Sequence, residues 1–237
     1  MTMHVVLSTP GGDVHGVLAH PASTPRGAVI VFQEAFGLTP YLEGVCDRLA
    51  DDGWLALAPS VFRMLPGAHY SPDELPAALA AVNSMTAEGT GEVLDGTVTF
   101  LDQRGFPPAR TGVVGFCMGG TLSLLAATEL GFGAAVTFYG GRIRAGAYGY
   151  GSLVEQAPML LCPWLGLYGD LDRGLPVAQV ERLRAAASRA PAPTELVRYA
   201  DADHGFHNAT RSDIHHPAAA SDAWGRCMHW LDAHVSG

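Results

Sequence analysis

The chain has no lysine: all 14 of its cationic side chains are arginine. Without an ε-amine, Schiff-base chemistry and the lysine-bearing phosphate loop of nucleotide hydrolases are both excluded. Charge of either sign is sparse, at 16% of residues against 48% hydrophobic, which is far from the composition of disordered chains. The net charge is -9 and no basic cluster interrupts it, so nucleic-acid phosphates and anionic membrane surfaces are not expected partners. No apolar run approaches the roughly 18 residues needed to span a bilayer. The segment from Met1 to Pro10 lacks the basic stretch, apolar core and small-residue cleavage site of a secretory leader, so a cytoplasmic location is expected. Cysteine is scarce, and Cys46, Cys117, Cys162 and Cys227 show no CxxC spacing, so neither a disulfide framework nor a zinc cage is expected. Helix-borne metal spacings such as HExxH are missing as well. His204, His207 and the pair His215-His216 sit in a segment broken by glycine and closed by Pro217, so no metal is expected. Gly131 to Gly133 precedes a strand and lacks the third glycine of a dinucleotide fingerprint. No cofactor is expected.

What is present is a rhythm. Apolar runs of strand length alternate with amphipathic stretches of helix length, the signature of βαβ units and a mostly parallel sheet. At 237 residues this suits a single α/β domain over 1-237. The rhythm opens with a hairpin, His4 to Ser8 and Val14 to His20 around Pro10-Gly11-Gly12-Asp13. Strands are then expected at Ala28 to Phe32, Trp54 to Ala58, Gly112 to Phe116, Ala134 to Phe138, Met159 to Tyr168 and Glu195 to Tyr199. Helices are expected at Leu42 to Asp52, Pro76 to Met85, Glu92 to Gln103, Met118 to Leu130, Pro176 to Ala190 and Ala218 to His234. The proline-broken segment Ser60 to Gly91 is a candidate cover for a site, and Gly140 to Ser152 reads as a loop.

Gly115-Phe116-Cys117-Met118-Gly119 falls between a buried strand and a helix. This is the nucleophile-elbow pattern with cysteine in place of serine. Glycine on both flanks answers the crowding of a sharp strand-to-helix turn, which lifts the nucleophile above the sheet. The turn also sets the Cys117 sulfur at a helix N-terminus, where free N–H groups and the helix dipole favour a thiolate. The Met118 N–H is a candidate oxyanion donor. In this architecture the acid and then the histidine follow the nucleophile, each on a loop after a strand. Gly169-Asp170-Leu171-Asp172 and Asp201-Ala202-Asp203-His204-Gly205-Phe206 supply them. His204 is the candidate general base and Asp172 the carboxylate that orients it, with Asp170 as the rival. Glu34 and Ala35 follow the first buried strand at the same sheet edge, and the Ala35 N–H is in position to be the second oxyanion donor.

These motifs resemble the dienelactone hydrolase family of α/β hydrolases. The likeness rests on Gln33-Glu34-Ala35-Phe36-Gly37, Gly115 to Gly120, Phe138-Tyr139-Gly140, Gly169 to Pro176 and His204-Gly205-Phe206, in the family's order over most of the chain. The resemblance implies the α/β-hydrolase fold, with a mostly parallel central sheet and helices on both faces. It implies a triad of Cys117, Asp172 and His204, a Glu34 that touches the thiol and controls its ionisation, and a thioester intermediate on the way to ester or lactone hydrolysis. One departure bears on substrate. Family members acting on dienelactone hold its carboxylate with arginines, one of them four residues after the catalytic histidine, where this chain has Asn208. The other lies before the nucleophile helix, and here no arginine occurs between Arg63 and Arg104. Arg142, Arg144, Arg173 and Arg211 are alternatives on other loops, and Phe36, Tyr139, Trp164 and Asn208 are candidate pocket residues.

The expected function is cofactor-independent hydrolysis of small esters or lactones by a monomer or homodimer. The rivals are thioesterase or acyl-transfer activity at the same site, and a non-catalytic, ligand-binding protein whose Cys117 senses redox state.

Overall fold

The computed structural model describes residues 2–65 and 67–235; Pro66, one of the prolines that break the Ser60 to Gly91 reading, lies outside them, as do Met1, Ser236 and Gly237. Eight strands form one sheet: β1 (Thr2–Thr9), β2 (Gly12–Ala19), β3 (Ala28–Phe32), β4 (Leu55–Pro59), β5 (Thr111–Phe116), β6 (Ala134–Phe138), β7 (Trp164–Gly169) and β8 (Thr194–Tyr199). Their spatial order is β1-β2-β4-β3-β5-β6-β7-β8. The hairpin β1-β2 and the β2-β4 pair are antiparallel, and every pair from β4 to β8 is parallel.

The alternation of side chains along a strand divides the core between two faces. On β3, Ile30 and Phe32 enter one apolar cluster while Val29 and Val31 enter the other. Helices α1 (Pro40–Asp51) and α7 (Pro217–His234) cover the second face. The first face carries α3 (Ala87–Asp102), α4 (Met118–Glu129), the short α5 (Leu153–Gln156) and α6 (Val177–Ala187). Helix α4 is buried from Met118 to Ala127. That all-round burial matches its nearly uniform apolar sequence, since such a helix has no polar face to turn to water. Among the described residues no helix is long and apolar enough to cross a membrane.

Three boundaries differ from the sequence reading, each for a local reason. Helix α3 begins at Ala87, five residues before Glu92, because the Thr86 side chain caps it by accepting from the Gly89 N–H at 3.1 Å. Strand β7 begins only at Trp164, since a 3-10 turn occupies Ala157–Met159 and Pro163 lacks the N–H a central strand needs. The end of the glycine-rich loop is helical, with Ser152 and Glu155 forming a reciprocal cap on α5. The segment after β4 holds α2 (Leu75–Ser84), whose only buried residues are Ala78 and Val82.

Candidate active site

The carboxyl ends of β3, β5, β6, β7 and β8 lie along one edge of the sheet, and the candidate residues sit there. Cys117 follows β5 directly, with φ 54° and ψ −114°, a left-handed conformation that a cysteine adopts only under constraint. Its N–H donates to the Phe138 carbonyl at 3.0 Å, and the Gly119 N–H donates to the Gln33 carbonyl at 3.0 Å. The elbow is thereby pinned to β6 on one side and to the loop after β3 on the other. A Cβ at Gly119 would stand 2.2 Å from the Phe32 carbonyl oxygen, so only glycine allows the approach.

That pinning brings Ala35 and Met118 to the same side of Cys117. Ala35 lies in a turn closed by the Gly37 N–H donating to the Glu34 carbonyl at 3.2 Å. Among the described residues no acceptor is found for the N–H of Ala35 or of Met118, as a pair of donors awaiting an oxyanion requires.

The loops after β7 and β8 are joined by main-chain bonds, the Leu171 N–H donating to the Ala202 carbonyl at 3.0 Å and the Asp170 N–H to the Tyr199 carbonyl at 2.9 Å. Gly169 lies so near Ala202 that a Cβ would come within 2.3 Å of its carbonyl oxygen. This junction brings Asp172 to His204, whose Nδ1–H donates to Asp172 Oδ2 at 2.6 Å. The other carboxylate oxygen accepts from the N–H groups of Gly174 (2.8 Å) and Leu175 (3.2 Å), so the buried Asp172 is held from both sides. Asp170 faces away, gripped by Arg198 at 2.7 and 2.8 Å. Burial alone would push the His204 imidazole down. The charge of Cys117, the hydrogen bonds with Asp172 and Cys117, and the charge of Asp172 outweigh it and hold the ring well above the ordinary histidine range. His204 and Cys117 are therefore coupled, with the imidazolium favoured beside a thiolate.

Glu34 is buried, and its hydrogen bonds include none to Cys117. Instead Oε1 accepts from the Tyr139 hydroxyl at 3.3 Å and Oε2 from Asn208 Nδ2 at 2.8 Å, so the thiol contact implied by the resemblance is not formed in this conformation. Burial raises its carboxyl above the usual range, opposed by the Asn208 bond, the His204 charge, the Tyr139 bond and the more distant Arg211. The Tyr139 ring packs against His204 with centroids 5.2 Å apart. Phe36 and Asn208 line a cleft of about 240 Å³ with Glu34, Tyr41, Tyr70 and Arg211.

Trp164 is placed elsewhere. It stands at the amino end of β7, wholly buried, its Nε1–H donating to Thr137 Oγ1 at 2.9 Å. It is a core residue on the opposite side of the sheet from the elbow, not a pocket wall. Of the alternative arginines, Arg211 is paired with Asp213 at 3.2 Å, Arg142 donates to Asn83 Oδ1 at 2.6 Å, and Arg144 and Arg173 are exposed. Two further histidines are engaged structurally: His207 shares a 2.6 Å hydrogen bond with Tyr41, and His216 accepts from the Ala219 N–H at the start of α7. The sequence reading passed over Tyr148, which is buried in the loop after β6 and senses the charge of Cys117. Its flanking glycines, Gly146 and Gly149, were the signal of a tight turn there.

A sheet of this order with an elbow after β5, an acid after β7 and a histidine after β8 defines an α/β hydrolase. Comparison with known proteins narrows the class. The model of the "Dienelactone hydrolase family" matches residues 14–235. A relative from Escherichia coli O157:H7, named "Putative carboxymethylenebutenolidase", is 34% identical over 95% of this chain and 84% of its own length. A Yersinia pestis protein of the same name is 32% identical over 96% of this chain and 86% of its own length. The crystal structure of a "Putative Dienelactone Hydrolase" from Klebsiella pneumoniae superposes with a TM-score of 0.87 at 29% identity, covering 98% of both chains. The chain belongs to the dienelactone hydrolase family, and it is a hydrolase of the ester and lactone class.

Proposed function

We propose that this protein hydrolyses small esters or lactones through a thioester on Cys117. The observation that carries the reading is the sequence of contacts from Asp172 to His204 to Cys117, drawn from three separate strand-end loops. The thiolate attacks the carbonyl carbon, forming the S–C bond and driving charge onto the carbonyl oxygen. The N–H groups of Ala35 and Met118 receive that charge, each contributing about 3 kcal/mol in such sites. As the C–O bond breaks, the His204 imidazolium gives its proton to the leaving oxygen; from a lactone, the alcohol stays tethered to the acyl group. His204, now neutral, takes a proton from water, which cleaves the thioester and releases the acid. Asp172 holds the tautomer that makes both transfers possible. Glu34, bonded to Tyr139 and Asn208, shapes the cleft beside the nucleophile. With Asn208 in place of an arginine and Arg211 already paired with Asp213, that cleft suits an uncharged group.

The test is release of p-nitrophenol from p-nitrophenyl acetate by the protein and by Cys117→Ala, with mass spectrometry of the enzyme during turnover. Hydrolysis lost by at least ~10³-fold in the variant, with an acetyl group on Cys117 of the parent, is the expected result. Undiminished hydrolysis by Cys117→Ala would remove the cysteine from the mechanism.

A further inference from the structure

Ala147, Tyr148, Gly149 and Tyr150 make a tight turn, closed by the Tyr150 N–H donating to the Ala147 carbonyl at 2.8 Å. Both central residues have positive φ, 56° at Tyr148 and 86° at Gly149. Such a turn takes glycine, asparagine or aspartate at its first central position, because a bulky side chain there is strained. This chain spends 29 glycines elsewhere and puts a tyrosine here. The ring is nevertheless buried, at 8% exposure, in the same apolar cluster against which Cys117 packs. Its hydroxyl bonds to none of the described residues, and it is absent from the sealed, unpartnered polar atoms of the core. The one polar atom of Tyr148 is therefore open and unoccupied.

The loop that carries it is anchored around the elbow. Thr121 Oγ1, in the first turn of α4, donates to the Gly141 carbonyl at 3.0 Å, and Arg142 reaches across to Asn83 on α2. Gly149 packs against Ala87 at the start of α3. Strand order then fixes which side of the nucleophile Tyr148 approaches. β5 lies between β3 and β6, with β7 and β8 beyond β6. The oxyanion donors come from the β3 side and the helix start, whereas His204 comes from the β8 side. In a tetrahedral centre on the sulfur whose oxyanion faces the β3 side, the leaving oxygen faces His204, and the loop after β6 is on that same side.

We propose that Tyr148 is a catalytic residue whose hydroxyl donates a hydrogen bond to the leaving-group oxygen of the ester held on Cys117. The inference rests on the Cys117 reading above. Tyr148 keeps its proton throughout: His204 supplies the proton that departs with the alcohol, and Tyr148 stabilises the charge before that transfer is complete. Burial, then the charge of Cys117, raise the phenol above its ordinary range against the opposing charge of Arg142, so it stays a donor at neutral pH.

The experiment compares Tyr148→Phe with the parent on p-nitrophenyl acetate and on ethyl acetate, with iodoacetamide alkylation of Cys117 and thermal melting in parallel. A p-nitrophenolate departs without help, whereas an ethoxide needs the donor. The expected result is a roughly ten-fold fall in kcat/KM for ethyl acetate, the size of one hydrogen bond, with less than about three-fold change for p-nitrophenyl acetate. Alkylation rate and Tm stay unchanged, since the hydroxyl supports no other described group. Equal losses on both esters, or no loss on either, would overturn the role of Tyr148 while leaving acetylation of Cys117 intact. Failure of the parent to acetylate at Cys117 would overturn the underlying reading and this proposal with it.

Discussion

Replacing Asp172 by asparagine changes one atom and reverses what that atom can do. Asp172 Oδ2 accepts from His204 Nδ1 at 2.6 Å, while Oδ1 accepts from the N–H groups of Gly174 and Leu175. Asparagine keeps the second set with its carbonyl oxygen, which turns its NH₂ toward His204 and forces Nδ1 to become an acceptor. The proton then resides on Nε2, the nitrogen that must accept from the thiol. Loss of a hydrogen bond to a charged group costs about 1.5–3 kcal/mol, or roughly 10- to 150-fold at about 1.4 kcal/mol per decade. The tautomer error adds to this, and the same exchange in a serine triad costs about 10⁴-fold. We expect kcat/KM for p-nitrophenyl acetate to fall between about 10²- and 10⁴-fold in a folded protein. The sharper readout is the pH dependence of iodoacetamide alkylation at Cys117. His204 is held above its ordinary range partly by Asp172, so its imidazolium persists beside the thiolate past neutral pH. Without the carboxylate the imidazolium is lost at lower pH, the thiolate loses its partner, and the alkylation limb moves to higher pH. Asp170→Asn, altering a carboxylate engaged by Arg198, should leave the limb in place. An unmoved limb in Asp172→Asn, with kcat/KM within about three-fold of the parent, would refute the reasoning.

Gly119→Ala puts a Cβ 2.2 Å from the Phe32 carbonyl oxygen and 2.6 Å from that of Gln33, both main-chain atoms that cannot swing aside; we expect a loss of about 3 kcal/mol or more by urea unfolding, and a change under 1 kcal/mol would contradict the crowding argument. His207, buried against Tyr41, Phe116 and Trp224, is pushed down to about 3 by burial and by the charges of Arg48 and His215. Below the unfolded value near 6.5 the unfolded chain takes up a proton that the folded chain refuses, so stability falls as pH falls, by about 2 kcal/mol between pH 6.5 and 5. His207→Gln should lose that acid sensitivity, and equal slopes in parent and variant would assign it elsewhere.

The residues legible in the sequence are those marked by a signal within a few positions of themselves. Cys117 has its two glycines and the apolar strand before it; Asp172 and His204 each follow a strand and a turn. Backbone geometry fixes such positions locally, so the order of three strand-end loops was enough to bring them to one edge. Asp172 and Asp170 were separable only in part, because two residues on one loop share every local signal; the Arg198 that claims Asp170 lies 28 positions away on β8. Glu34 shows the same limit more strongly. Its position at the edge followed from β3, but its partner Asn208 is 174 residues distant, and no spacing rule links the two. Trp164 failed as a pocket residue because an aromatic side chain on a strand reads alike at either end; only the late start of β7 after Pro163 sends it to the amino side. The early start of α3 was likewise hidden by Gly89 and Gly91, which weaken a helix that the Thr86 cap and packing restore.

Tyr148 could not be read at all, because its significance lies in a backbone conformation that its residue type disfavours. Five non-glycine residues have positive φ among the described residues: Arg63, Cys117, Tyr139, Arg142 and Tyr148. Four of them are at the ends of β5 and β6 or in the loop that follows β6. At about 1–2 kcal/mol each, left-handed residues with side chains carry a cost that glycine would remove. In a chain so rich in glycine, strain concentrated at one edge means that the side chains are worth more than the relief. For Cys117 the return is the exposed sulfur, and for Tyr139 it is the bond to Glu34 and the ring against His204. For Tyr148 no return exists among its described partners, which is why its open hydroxyl is assigned to the substrate.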